Sequence, residues 1–162
     1  MTLLRSLILW LIILVTGSPA FAREQGQMAF LLQAGSPPQG VVFEIVDHDE
    51  HSLAWALPRV REHIARLHQR FPQLPIAIVS HGNEQFGLLK KNRSHLIDIH
   101  SIGQQLNNEQ VTIHVCSTHA KLAGFSASDF PDYVELSMQG PARIAQYLRA
   151  GYVLVNIERG QD

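Results

Sequence analysis

Cys116 is the one cysteine in a chain of 162 residues. A lone thiol has no internal partner for a disulfide. Three uses remain: an inert buried residue, a bridge to another chain, or a thiol kept for its reactivity. Cys116 closes the apolar run at 111–115 and precedes Ser117 and Thr118, two helix-capping residue types. Strand, cysteine, cap and helix in that order would aim unpaired backbone N–H groups at the sulfur and favour its thiolate. The competing use is packing, because free Cys is among the most buried residue types. His119 follows within the first turn and could hold a proton near the sulfur, and Lys121 could add positive charge. The candidate catalytic pair is therefore Cys116 and His119.

Nine histidines invite a metal reading. The pairs His48/His51, His63/His68 and His95/His100 match no ligand signature, so most are expected at the surface and no metal or other cofactor is assigned. A Cys116–His119–His81 set for a soft or borderline ion is the alternative. Ser80 and His81 with the Asp47 cluster suggest a hydrolase triad, but no nucleophile elbow accompanies them. Gly82 and Gly87 do not form a phosphate-binding loop.

The elements that must position these residues alternate along the chain. Residues 41–46 read as a buried strand ending in Asp47-His48-Asp49-Glu50-His51. Leu53, Leu57, Val60, Ile64, Leu67 and Phe71 recur at helical spacing. Pro58 lies inside that pattern and either opens the regular helix or kinks it, and Pro72 and Pro75 end it. Residues 76–79 form a second apolar strand, followed by Ser80-His81-Gly82. Phe86, Leu88 and Leu89 suggest a short helix. Leu96, Ile99, Ile102 and Leu106 mark another, with Ser94 as its cap. Residues 111–115 are the third strand, rich in β-branched side chains, and Gly124 ends the short helix after it. Residues 134–136 offer a fourth strand. Pro141 opens a helix that Gly151 caps, and residues 152–157 are the last strand.

Nearly unbroken apolar strands between helices are what a parallel sheet covered on both faces requires. The expected fold is a three-layer α/β sandwich with a mainly parallel sheet of about five strands joined by right-handed crossovers. Ligands in such folds gather at the carboxyl ends of the strands. Asp47 and His48, Ser80 and His81, and Cys116 should then share one edge.

The start of the chain reads as an export leader. Arg5 supplies positive charge, residues 7–15 are apolar, Gly17-Ser18-Pro19 breaks the run, and Ala20-Phe21-Ala22 is a small-x-small cleavage site. The run falls well short of the roughly 20 apolar residues of a membrane span. The expectation is a signal peptide at 1–22, a lead-in and linker at 23–40, and one domain at 41–158. The chain would reach the periplasm with no stable membrane insertion after cleavage. Removing Arg5 from the 13 Lys and Arg leaves them two short of the 14 Asp and Glu, so nothing in the charge calls for a nucleic acid. Residues 28–32 are apolar and precede the domain without an obvious place in it. They would pack on the body or on a second copy, which points to a homo-oligomer.

The stretch 111–116 (VTIHVC) with 122–130 (LAGFSASDF) resembles the cysteine region of DsrE/DsrF-like proteins, which are associated with sulfur relay. Residues 41–47 with the helix after them, 76–82 with Leu88-Leu89, and Ile144 through Gly151-Tyr152 follow in the same order. The run Cys116-Ser117-Thr118-His119 departs from the Asn-Thr that many relatives carry close after the cysteine, and many relatives are cytoplasmic. With the leader at its start, the chain reads as an exported variant of that type. The resemblance implies a thiol-based sulfur carrier or sulfurtransferase-like protein using Cys116; the strand-end rule adds His48 and His81, and the capping position adds Ser117 and Thr118, as the supporting site edge. It also implies a homo-oligomer and a sulfur donor or acceptor protein as partner. The alternative is a non-catalytic ligand-binding or assembly protein of the same fold, with a bound metal ion as one variant.

Overall fold

A computed structural model describes residues 19–159. The features that mark the leader before Pro19, including Arg5 and the apolar run at 7–15, lie outside the described residues. The chain runs α1 (Pro19–Gln33), β1 (Gly40–Ile45), α2 (Leu53–Arg70), β2 (Ile76–Ser80), α3 (Ile97–Asn108), β3 (Thr112–Cys116), α4 (Ser117–Leu122), β4 (Val134–Ser137), α5 (Gly140–Arg149) and β5 (Tyr152–Ile157). Short 3₁₀ helices at Asn83–Leu88, Lys90–Asn92 and Ala127–Asp129 fill the longer connections.

The five strands pair in parallel in the order β4-β3-β2-β1-β5. The chain steps three times in one direction across the sheet and then returns to place β5 beside β1. Crossovers of one hand put the connections of those three steps on one face and the return helix on the other. The packing agrees. Val41, Phe43 and Ile45 of β1 bury with Met28 of α1, Leu57 and Ile64 of α2, and Leu106 of α3. The opposite face holds a smaller cluster, Val42, Ala77, Val79 and Ile144, roofed by α5.

α2 buries Leu53, Ala56, Leu57, Val60, Ile64 and Leu67, the stripe that the spacing predicts. It starts at Leu53, so Pro58 sits inside it rather than at its first turn. Pro58 cannot donate to the carbonyl four residues back, which belongs to the exposed Ala54. Leu96, not Ser94, occupies the N-cap of α3.

The lead-in before residue 41 is part of the body. Met28 and Leu31 of α1 are 0% and 1% exposed, and each such burial contributes about 2 kcal/mol. Glu24 is fully buried, with Oε1 2.7 Å from His63 Nε2 and 3.4 Å from Arg59 Nε. Gln27 Oε1 accepts the backbone N–H of Asn156. Of the segment at 28–32, Met28 and Leu31 therefore pack on the chain's own body, while Phe30 stays 70% exposed.

Candidate functional site

The sheet topology singles out one strand boundary. β3 leads into α4, whose Ala120 is buried on the α1–α2–α3 face, whereas β4 leads into α5 on the other face. Connections that leave neighbouring strand ends toward opposite faces open a crevice between them, and such switch points are where α/β sheets bind ligands. Cys116 ends β3 and pairs with Ser137 at the end of β4. Cys116 is 7% exposed.

Cys116 is itself the N-cap of α4, and its sulfur accepts the backbone N–H of His119 at 3.4 Å. Ser117 and Thr118 do not cap. Both hydroxyls donate to the carbonyl of Met138, which also accepts the Thr118 N–H at 3.2 Å. Those bonds tie the two sides of the crevice together.

Behind Cys116 lies the 3₁₀ helix Asn83–Leu88. The Glu84 carboxylate accepts the Ser80 hydroxyl at 2.7 Å, the Gly82 N–H at 3.0 Å and the Asp47 N–H at 2.7 Å. It thereby binds the ends of β1 and β2 to each other. A Cβ at Gly82 would stand 2.4 Å from the Asp47 carbonyl oxygen, so the approach needs glycine. The next residue, Gln85, is fully buried, and its Oε1 accepts the Cys116 N–H at 2.8 Å. Its Nε2 is buried with no hydrogen-bond partner.

His119 and His81 meet at this edge. His119 Nδ1 lies 3.2 Å from the His81 carbonyl oxygen. A carbonyl only accepts, so Nδ1 carries the hydrogen and Nε2 is the nitrogen free to take a proton. The ring also packs edge-on against Phe86. It is the backbone of His119, not its imidazole, that contacts the sulfur. The His81 ring turns away to Glu44, with Nε2 to Oε1 at 2.8 Å, and its Cβ lies against the backbone of Gly140. His48 is exposed and joins the edge only through its backbone, where its carbonyl accepts Asn83 Nδ2. Asp47, beside it, is folded inward. Burial alone would raise its pKa, but hydrogen bonds from Ser52, Asp49 and His48, with the charge of Arg159, hold it below the ordinary carboxylate value.

No family model matches the sequence, and no curated protein does. Solved structures similar in fold include the following two. MTH1491 from Methanobacterium thermoautotrophicum, a protein of unknown function, superposes with a TM-score of 0.57 at 19% identity over 72% of this chain and 97% of its own. The ychN protein from E. coli does so at 0.51 and 19% over 74% and 99%. The fold is DsrE-like.

Within this DsrE-like fold the described residues hold no group of three His, Cys, Asp or Glu side chains placed to bind a metal ion. Cys116, His119 and His81 do not converge as a ligand set, because the His81 ring faces Glu44. Two clefts among the described residues lie away from Cys116. One of about 650 Å³ runs along α3 beside Lys90, Arg93 and Tyr133, and one of about 680 Å³ lies under Leu74 and Val111 at the opposite end of the sheet. The residues that sequence reasoning missed are Gln85, Glu84 and Glu44. Glu84 and Gln85 are polar residues that follow Ser80-His81-Gly82 with only Asn83 between, on the edge where the strand-end rule gathers ligands. That adjacency was the available signal.

Proposed function

We propose that this chain is an exported, DsrE/DsrF-like sulfur carrier or sulfurtransferase-like protein whose working group is Cys116. The observation that carries the reading is the setting of the thiol. It caps α4 at the switch point of the sheet, takes a backbone N–H on its sulfur, and has its own N–H held by a buried glutamine. In this reading the Cys116 thiolate attacks the outer sulfur of a donor persulfide. The donor S–S bond breaks, its thiolate leaves with the bonding pair, and Cys116 keeps the transferred sulfur as a persulfide, with no net oxidation. Delivery to an acceptor thiol repeats the step in the other direction.

The donor or acceptor is a protein in this proposal. Met138 at the crevice and Leu122 at the far end of α4 are 79% and 84% exposed and offer it apolar contact. The DsrE-like resemblance supports a homo-oligomer. Export to the periplasm rests on the leader features and on Ala20-Phe21-Ala22. Cleavage after Ala22 leaves Glu24, Met28 and Leu31 of α1 in place.

One observation favours the alternative of a non-catalytic binding or assembly protein: the sulfur is mostly covered. Cyanolysis separates the two. Wild-type protein exposed to a persulfide donor and then desalted should release thiocyanate on treatment with cyanide, and Cys116→Ser should release none. Equal release from both would end the carrier reading.

A further inference from the structure

We propose that the side-chain amide of Gln85 donates a hydrogen bond to the outer, negatively charged sulfur once Cys116 carries a persulfide. The inference rests on the sulfur-carrier reading and names the residue that would favour the loaded state.

The orientation of the amide is fixed by its neighbour. The Cys116 N–H can only donate, so the group 2.8 Å from it must be Oε1. The amide NH₂ is then the other arm of the same fork and stays beside Cys116. Gln85 is 0% exposed and Nε2 has no acceptor within reach. The adjacent Glu84 carboxylate already accepts from Ser80, Gly82 and Asp47. Buried donors without acceptors are uncommon and unfavourable, and each calls for an explanation.

The sulfur supplies the complementary deficit. It is nearly buried, and the donor recorded on it is the His119 N–H at 3.4 Å. α4 has six residues, too short to add much from its dipole. The amide makes no hydrogen bond to the Cys116 sulfur itself, so its hydrogens are unused in the resting thiol. A persulfide adds a second sulfur beyond the Cys116 sulfur, and that outer atom, as an anion, accepts charge-assisted hydrogen bonds. The amide is thus unsatisfied in the resting protein and satisfied in the loaded state, which is the differential that favours sulfur uptake.

The test uses the ¹⁵N-labelled chain with glutathione persulfide as the probe. On loading, one Gln85 side-chain amide proton should move downfield in the NMR spectrum. An unmoved pair of amide protons in fully loaded protein would overturn the proposal. Gln85→Glu keeps an acceptor for the Cys116 N–H and removes the donor. Its loading rate should fall about tenfold or more with the circular dichroism spectrum unchanged. A folded variant that loads as fast as wild type would overturn it too, and if the variant does not fold, the wild-type NMR result decides. If wild-type protein takes up no sulfur, the carrier reading itself fails and this inference with it. If wild type loads while the amide protons and the variant rate are both unchanged, only the role of Gln85 is lost.

Discussion

His114 and Cys116 sit two residues apart on β3 and face the same side of the sheet, yet their surroundings differ in kind. His114 is 1% exposed, and both of its ring nitrogens are partnered. Arg143 Nε donates to Ser137 Oγ at 3.0 Å, Ser137 lies 3.0 Å from His114 Nδ1, and His114 Nε2 lies 2.8 Å from the Tyr147 hydroxyl. Burial first, and the Arg143 guanidinium second, push the His114 pKa down to about 4, so the ring is neutral. The chain of bonds links Arg143, Ser137, His114 and Tyr147, and it ties β3 and β4 to α5. Around Cys116 the balance is reversed. A buried amide donor beside it has nothing to donate to. A saturated network holds a fold together, whereas a buried polar group without a partner has capacity for something that arrives.

That contrast can be broken at either end. The largest effect should come from Cys116→Ser, which should abolish sulfur uptake while leaving the thermal midpoint close to wild type, because a serine oxygen can still accept the His119 N–H. A collapse of the fold would place Cys116 with His114 as a structural group. His114→Phe should do the opposite. It leaves Ser137 and Tyr147 without their partner and should cost about 2–4 kcal/mol in urea unfolding, while Cys116 in the folded protein is alkylated at the wild-type rate. A change in alkylation without a change in stability would show that the two regions act as one.

The His114 pKa gives a pH signature. The unfolded ring binds its proton near the ordinary 6.5 and the folded ring only near 4, so between those values the unfolded state binds more protons. Stability should therefore be highest above about pH 6.5 and fall as the pH drops toward 4, by about 2 kcal/mol after allowance for solvent screening. His114→Phe should flatten that part of the curve, and an unaltered slope would contradict the assignment. Thr118→Val should have the smallest effect, a few tenths of a kcal/mol, since water can replace the exposed hydroxyl on the Met138 carbonyl. A large loss would mean that the crevice depends on that tie.

Much of the fold was legible because parallel strands buried on both faces read as plain apolar runs. Residues 76–79, 111–115 and 152–157 coincide with β2, β3 and β5 to within one residue at either end. The position of Cys116 at a strand end was legible for the same reason. The lead-in was not. Residues 28–32 are a continuous apolar run without helical spacing, and the anchor of α1 is a carboxylate, Glu24, that becomes intelligible only beside His63 and Arg59 of α2. The cap of α4 was assigned to Ser117 and Thr118 because hydroxyls are the usual caps, yet the Met138 carbonyl across the crevice takes both of them and leaves the cap to the thiol. Gln85 escaped notice because a glutamine has no chemistry of its own. Its interest lies in one bond made and one left open, and only the folded arrangement displays both.

The central claim is that Cys116 is a working thiol in the folded protein. Its most direct test is the intact mass of native protein after brief exposure to glutathione persulfide. One sulfur atom, about 32 Da, should be added, removed again by a reductant, and absent from Cys116→Ser. Uptake that occurs only after denaturation would contradict the account and make Cys116 a packed residue of the sheet.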